Sequence, residues 1–229
     1  MVMVLPTKRW VAQHPDRIQL YSVATPNGKK AGVMLEESGL PYEAHTVHIG
    51  KGDQHDPEFL AISPNGKIPA IVDPAGPGGE PLAIFESGAI LLYLAEKSGK
   101  LLPEDPRLRE EARMWLFFQV GGVGPFFGQF GHFHKFARDK TSDDYALTRY
   151  ATETTRLLGV LEARLEGRSF LVGDELTVAD VATFPWVQAL DVYEGKERVE
   201  YDRFPRVEAW VQRCTARPAV QRGLAVTPF

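Results

Sequence analysis

The spacing of the apolar residues changes near residue 100 and divides the chain into two regions. Before it, short apolar runs typical of strands alternate with amphipathic helical stretches. After it, the apolar residues recur only at the helical spacing of three or four positions. The chain has 229 residues, enough for two small domains. The sequence therefore predicts an α/β domain followed by an all-helical domain.

The first domain, predicted over residues 17–99, has the element order β-α-β-α-β-β-α. Its predicted strands are 18–21, 42–47, 68–72 and 82–85, and its predicted helices are 28–37, a short helix opened by Pro57, and 86–97. A strand, helix and second strand in this order form a right-handed parallel crossover, because a right-twisted strand and a helix pack back onto the sheet only that way. The Pro- and Gly-rich stretch 73–80 marks the turn of a closing hairpin.

The second domain is predicted over residues 107–229 and is all-helical. Its predicted helices are 107–118, 143–166, one that starts at Thr177, and 205–214. Thr177 and Asp180 have the spacing of a capping box, in which each side chain satisfies a free backbone N–H of the other. Three glycines interrupt the helical run 119–125, which predicts a bend, a close approach to a ligand or a tight helix crossing.

Composition and charge exclude several classes of function. A net charge of −4 lacks the basic excess that nucleic-acid binding needs, so no nucleic-acid partner is expected. No apolar run approaches the roughly 20 residues of a membrane span, and the opening MVMVLP is shorter than a signal-peptide core, so no membrane partner is expected. Cys214 is the single cysteine, which rules out an internal disulfide and favours a reducing, cytoplasmic location.

Residues 1–16 form an extension that lacks clear periodicity. One interpretation is a disordered tail. The other is an arm that packs on the body or on a second subunit, because Val2, Val4 and Trp10 are costly to leave in water. The sequence leaves both open.

Three segments in order along the chain carry a resemblance to a known family. They are Ser63–Ile71 (SPNGKIPAI), Phe85–Ile90 (FESGAI) and Gly173–Asp180 (GDELTVAD). These segments resemble those of the cytosolic glutathione transferases. The predicted order of domains, a thioredoxin-like domain followed by an all-helical domain, resembles that family as well. A second set resembles the bacterial nu-class branch, whose members are glutathione-dependent disulfide-bond oxidoreductases: TPNG at 25–28, GKGDQ at 50–54 and QVGGVGP at 119–125.

The resemblance explains why the loop after the first strand, Val23–Gly28, contains no cysteine. It implies glutathione as cosubstrate, so the attacking thiolate belongs to the ligand. The hydroxyl of Thr25 and the amide of Asn27 are the implied catalytic groups, because donors aimed at a thiolate favour its charged form. Taken alone, Thr25-Pro-Asn-Gly is also the composition of an ordinary β-turn.

The resemblance also implies a set of glutathione-binding residues. Gln54 and Lys67 would hold the glycyl carboxylate, and Ile68, before a cis Pro69, would pair with the cysteinyl backbone. Glu86 would bind the ammonium of the γ-glutamyl end. Ser87 and the free N–H groups of its helix would bind the carboxylate of that end. The complete expected set is Thr25, Asn27, Gln54, Lys67, Ile68, Pro69, Glu86, Ser87 and, on the long helix of the second domain, Arg149.

The predicted function is reduction of a disulfide, with possible reduction of organic hydroperoxides, by a homodimer that uses bound glutathione and no metal. The pair His132 and His134 does not share a helix face, which disfavours a metal site. Two alternatives stay open: conjugation of glutathione to electrophiles, and a non-catalytic glutathione-binding or scaffold module.

Overall fold

The computed structural model describes residues 8–229, which form two compact units. The first comprises the described residues up to Lys100 together with Pro218–Phe229, and the second is Leu101–Arg217. Val2 and Val4, which the packed-arm interpretation includes, lie outside the described residues. Within residues 8–229, no helix is both long and apolar enough to cross a membrane.

A four-stranded mixed sheet organises the first unit, in the order β2-β1-β3-β4. Its elements are β1 (Ile18–Ser22), α1 (Pro26–Ser38), β2 (Tyr42–Thr46), α2 (Pro57–Ile62), β3 (Ala70–Asp73), β4 (Leu82–Phe85) and α3 (Ser87–Ser98). β1 pairs in parallel with β2 and antiparallel with β3, and β3 and β4 form the hairpin. The predicted fold class and element order are confirmed; the third strand begins at Ala70 rather than at Ile68.

The described part of the N-terminal extension packs on the first unit. Trp10 is buried against Tyr21 and Phe59, and its indole N–H donates to the Thr46 carbonyl at 2.9 Å. The Arg9 guanidinium forms ion pairs with the carboxylates of Asp53 and Asp56, which lie just before α2. For these described residues, the packed-arm interpretation is the correct one.

Helices make up the second unit. They are α4 (Pro106–Phe118), α5 (Gly124–Gly131), α6 (Tyr145–Arg164), α7 (Val178–Val192) and α8 (Pro205–Thr215), with π-helical turns at Gln119–Val123 and His132–Phe136. The glycine run forms the first of these π-helical turns and the start of α5. A Cβ added at Gly121 would meet no atom within 4 Å, and one at Gly122 would lie 3.7 Å from the Leu157 side chain. At Gly124 the added Cβ would lie 2.8 Å from the Gln119 amide nitrogen, so close packing within the run is confined to Gly124.

The capping box at the start of α7 is confirmed, and it is part of a larger buried network. The Asp180 carboxylate accepts hydrogen bonds from the backbone N–H and the hydroxyl of Thr177, both at 2.9 Å. It also accepts from the Leu171 N–H at 2.8 Å and the Trp210 indole N–H at 2.9 Å. Four donors on one fully buried carboxylate tie α7 to α8 and to the preceding loop.

The last helix, α9 (Pro218–Leu224), belongs to the first unit, which corrects the predicted helical domain of residues 107–229. A Cβ added at Gly32 would lie 2.5 Å from the Gly223 carbonyl oxygen, so α9 crosses α1 in backbone contact. Arg222 also pairs with Glu36 at 2.6 Å. The predicted helices did not include α9, and local sequence signals do not reveal which domain so short a helix packs on.

Candidate functional site

The first wall of the candidate site is the start of α1. Thr25 is the N-cap residue, and its hydroxyl oxygen accepts from the Gly28 N–H at 3.2 Å, which leaves the hydroxyl proton to donate elsewhere. A Cβ at Gly28 would lie 1.9 Å from the Val23 carbonyl oxygen, so only glycine lets α1 start directly above the end of β1. Asn27 follows in the first turn, where the positive end of the helix dipole attracts anions.

The second wall is the loop that leads into β3. The Ser63 hydroxyl donates to the Lys67 carbonyl at 2.8 Å, and the Gly66 N–H donates to the Ser63 carbonyl at 2.8 Å. Gly66 has φ of +62°, a left-handed conformation that glycine adopts without steric cost. The turn delivers Lys67 to the surface, and the following Ile68–Pro69 bond is cis, as the resemblance implied.

The third wall is the junction of β4 and α3. Glu86 has φ of +70° and ψ of +114°, a conformation that costs a non-glycine residue about 1–3 kcal/mol. Its carbonyl accepts the first hydrogen bond of α3, from the Ile90 N–H at 2.9 Å. Ser87 is the first residue of the helix, beside backbone N–H groups that have no partner within α3. Strain of this kind concentrates at ligand sites.

These three walls enclose one cavity of about 190 Å³ within the first unit. It is lined by Asn27, Ser63, Asn65, Lys67, Ile68, Pro69, Phe85, Glu86 and Ser87. Most of the residues expected to bind glutathione thus meet at one place. Three lining residues were not predicted: Ser63, Asn65 and Phe85. Each lies inside or directly beside a segment that carries the family resemblance, and that position was the available signal.

The other expected residues lie outside the lining. Thr25 caps the helix that presents Asn27. Gln54 lies behind the second wall, where its backbone carbonyl would be 3.3 Å from a Cβ added at Gly66. Arg149 is exposed on α6 of the second unit, four residues before Glu153, and its positive charge helps to lower the pKa of that carboxylate.

A buried lysine beneath the third wall was missed by the sequence analysis. Lys30 is 1% exposed, and its ammonium lies 3.3 Å from the Ser87 hydroxyl oxygen, to which it donates. Burial lowers the pKa of Lys30 to about 7, against the opposing effect of the negative charge of Glu86. The available signal was its position. Lys30 precedes Met34 by four residues, about one helical turn, so both lie on the apolar face of α1.

No protein thiol lies in the cavity lining, because the single cysteine, Cys214, is buried in α8. Ser22, the nearest serine before the first loop, is also fully buried. Among residues 8–229, no three histidine, cysteine or acidic side chains are grouped so that they could hold a metal ion. The chemistry that the cavity offers is therefore binding and charge stabilisation by hydroxyl, amide, ammonium and carboxylate groups.

Comparisons with known proteins agree on one family. The glutathione S-transferase N-terminal domain matches residues 24–97, and the glutathione S-transferase C-terminal domain matches residues 125–218. The chain is 49% identical over 209 residues to the Escherichia coli disulfide-bond oxidoreductase YfcG, covering 90% of this chain and 94% of the relative.

Two solved structures are similar over nearly the whole chain. A glutathione transferase family member from Pseudomonas fluorescens, with two glutathione molecules bound, is 55% identical with a TM-score of 0.93, covering 95% of this chain and 96% of that one. A glutathione transferase from Pseudomonas putida, with one glutathione disulfide bound per subunit, is 52% identical with a TM-score of 0.94, covering 96% of each chain.

Proposed function

The chain belongs to the glutathione S-transferase family, and we propose that this enzyme reduces disulfide bonds with the thiolate of a bound glutathione molecule. The observation that carries the proposal is the cavity of the first unit. It gathers groups suited to both charged ends of glutathione, yet its lining includes no cysteine. The reacting thiol must then come from a ligand. The name of the relative YfcG, and neighbours that hold two glutathiones or one glutathione disulfide, support this chemistry.

In the proposed complex, the γ-glutamyl end of glutathione lies against the third wall. Ser87 and the first N–H groups of α3 bind its carboxylate, since helix N-termini favour anions. Glu86, exposed at the cavity edge, binds its ammonium. The backbone of Ile68 pairs with the cysteinyl unit in the manner of a strand. Pro69 follows Ile68 in the lining and holds the wall there.

The opposite end of glutathione carries the glycyl carboxylate. We propose that Lys67 attracts it from the second wall and that Gln54 donates to it from behind the Gly66 turn. Arg149, an exposed cation of the second unit, is proposed as a further contact for the glutathione region.

Thr25 and Asn27 are the proposed catalytic residues. Each donates a hydrogen bond to the cysteinyl sulfur, and together with the start of α1 they lower the pKa of the thiol from its ordinary value of about 8.5. The thiolate attacks one sulfur of the substrate disulfide, forming a mixed disulfide and releasing the other sulfur as a thiolate. A second glutathione thiolate then attacks the mixed disulfide at the glutathione sulfur. This releases glutathione disulfide and the second substrate thiol, so that two glutathiones are oxidised for each disulfide reduced.

We further propose that the enzyme is a cytoplasmic homodimer. Reduced glutathione dominates the thiol pool of the cytosol, where the reaction finds its reductant. Apolar side chains on α4 support a subunit contact, since Met114 is 63% exposed and Phe117 is 66% exposed. Light scattering after gel filtration tests the assembly: a mass of one chain would refute the dimer.

The function is tested by coupling the purified protein to glutathione reductase and NADPH. Reduction of 2-hydroxyethyl disulfide is compared with reduction of cumene hydroperoxide and with conjugation of a chloronitrobenzene, in wild type, Thr25→Ala and Cys214→Ala. We expect disulfide reduction to dominate, to fall at least about tenfold in Thr25→Ala and to persist in Cys214→Ala. Loss of activity in folded Cys214→Ala would refute a glutathione nucleophile. Dominant conjugation would favour the transferase alternative, and glutathione binding without any turnover would favour a binding module.

A further inference from the structure

Lys30 is a buried cation for which the proposed reaction has no step. It lies on the inner face of α1, and α1 packs against α3 and α9. A lysine is almost never fully buried unless its ammonium is bound by a polar partner. Here the ammonium donates to the Ser87 hydroxyl oxygen, 57 positions along the chain, on a residue that lines the cavity.

The direction of this hydrogen bond matters for the ligand. Because the Ser87 oxygen accepts from Lys30, its own hydroxyl proton can turn toward the cavity and donate there. A hydroxyl that accepts from a cation is polarised and becomes a stronger donor. The contact therefore prepares Ser87 for an acceptor that carries negative charge.

The negative charge of Glu86 acts on Lys30 and opposes the effect of burial on its pKa. Glu36 lies six residues further along α1 and pairs with Arg222 of α9. On α3, Tyr93 and Lys97 both bind Asp73 of β3, and Glu96 is the remaining acidic residue. The N-terminal end of α3 adds further positive potential at Ser87.

We propose that Lys30 is a positioning residue for the γ-glutamyl carboxylate of glutathione, orienting the Ser87 hydroxyl from beneath and balancing the charge of the bound anion. The inference rests on the proposed function, because it requires glutathione in this cavity. It adds a residue that touches no part of the substrate.

A measurable consequence is proton uptake on binding. The unliganded pKa of Lys30 is about 7, so near pH 8 a large share of the molecules carry a neutral Lys30. An anion bound at Ser87 raises that pKa, and the side chain takes up a proton. At pH 6 Lys30 is already charged and takes up none. The affinity for the anion therefore falls as the pH rises above 7, by up to about tenfold per pH unit for one linked proton.

Isothermal titration calorimetry with S-methylglutathione tests this directly. The ligand has no thiol, and its N-acetylated form also lacks the ammonium, so proton uptake that persists with the N-acetylated form does not come from ionisation of the ligand. Wild-type protein is titrated at pH 6, 7 and 8 in buffers of different ionisation enthalpy, which yields the number of protons bound. We expect uptake of a substantial fraction of a proton at pH 8 and almost none at pH 6. Wild-type binding without uptake at pH 8 would overturn the inference, and this arm needs no variant.

Two variants extend the test. Lys30→Met keeps the apolar stem, and we expect it to bind about tenfold more weakly at pH 6 and to lose both the uptake and the pH dependence. Lys29→Met is the matched control: Lys29 is the neighbouring lysine, half-buried, and its pKa is also lowered by burial, but it is not part of the cavity lining. It should retain the wild-type uptake.

A double-mutant cycle tests whether Lys30 acts through Ser87. Ser87→Ala should weaken binding in the wild-type background and have a much smaller effect in Lys30→Met, since the two changes remove one interaction. Full additivity would overturn the positioning role. If wild type fails to bind S-methylglutathione at all, the proposed function fails together with the inference. Normal wild-type binding that Lys30→Met leaves unchanged overturns the inference alone.

Discussion

Lys30 in the first unit and Asp180 in the second are both charged side chains buried against the start of a helix, and their surroundings differ. The Asp180 carboxylate accepts from four donors that are all internal to the second unit. The Lys30 ammonium instead donates to Ser87, a residue that faces an open cavity.

The difference separates two uses of a buried charge. A charge whose hydrogen bonds are completed inside the protein holds elements together, and its loss leaves donors unsatisfied. A charge that reaches a cavity through a polar side chain is costly to bury in the unliganded protein, and in our proposal a bound ligand supplies its counter-charge. Substitutions at Asp180, Lys30, Gly66 and Glu86 test this division.

Asp180→Ala should destabilise the second unit by about 3–5 kcal/mol, because it strands the N–H groups of Leu171, Thr177 and Trp210. Urea denaturation followed by tryptophan fluorescence measures the loss. Asp174→Ala is the control, because Asp174 is exposed, and it should change stability by less than about 0.5 kcal/mol. Equal stability of the two variants would show that the hydrogen bonds of Asp180 do not stabilise the second unit.

Lys30→Met should instead stabilise the protein, increasing the free energy of unfolding at neutral pH by about 2–4 kcal/mol. Lys30 has an ordinary pKa near 10.5 in the unfolded chain and about 7 in the folded protein. Between those values the unfolded state binds more protons, so wild-type stability increases as the pH rises from 7 to 10.5. The advantage of the variant should therefore shrink from pH 7 to pH 9 in matched denaturation curves. A variant less stable than wild type at both pH values would contradict the assignment.

Gly66→Ala tests the turn of the second wall. It should cost about 1–2 kcal/mol, since alanine is strained at a φ of +62°. Gly99→Ala is matched in strain, with φ of +69°, but its added Cβ meets no neighbouring atom within 4 Å. Only Gly66→Ala should also weaken S-methylglutathione binding, because its Cβ crowds the Gln54 carbonyl. If both variants bind the ligand equally well, the Gly66 turn does not contribute to ligand binding.

Glu86→Gln should have the smallest effect, a loss of about fivefold in affinity for S-methylglutathione, because an exposed ion pair contributes little. The backbone conformation is retained, but the charge that acts on Lys30 is lost, so stability at neutral pH should fall slightly. The N-acetylated ligand, which has no ammonium, should bind the variant and wild type equally. If the variant still prefers the ligand with a free ammonium by the same factor as wild type, Glu86 does not bind the ammonium.

The sequence predicted most of the first unit because its signals are local. Gly39 ends α1 with φ of +74°, Pro57 opens α2, and the hairpin turn lies where proline and glycine cluster. The capping box of Thr177 and Asp180 was predicted for the same reason, since both partners lie within one turn.

The failures lie where the deciding contact is distant. α9 was included in the predicted helical domain, yet a glycine-to-glycine crossing with α1 assigns it to the first unit. Lys30 was overlooked because a lysine on a helix is usually exposed, and helical phase alone does not name what lies opposite it.

The order of elements, the caps that start and end them, the family motifs and the single cysteine can all be read from the sequence. These are properties of neighbouring residues, and backbone sterics and short-range hydrogen bonds express them wherever the segment lies. That Asn27, Lys67 and Ser87 line one cavity, and that Lys30 lies beneath it, becomes visible in the folded protein alone. Those relations depend on how α1, the β3 loop and α3 pack, and packing selects among many pairings that local signals leave equally open.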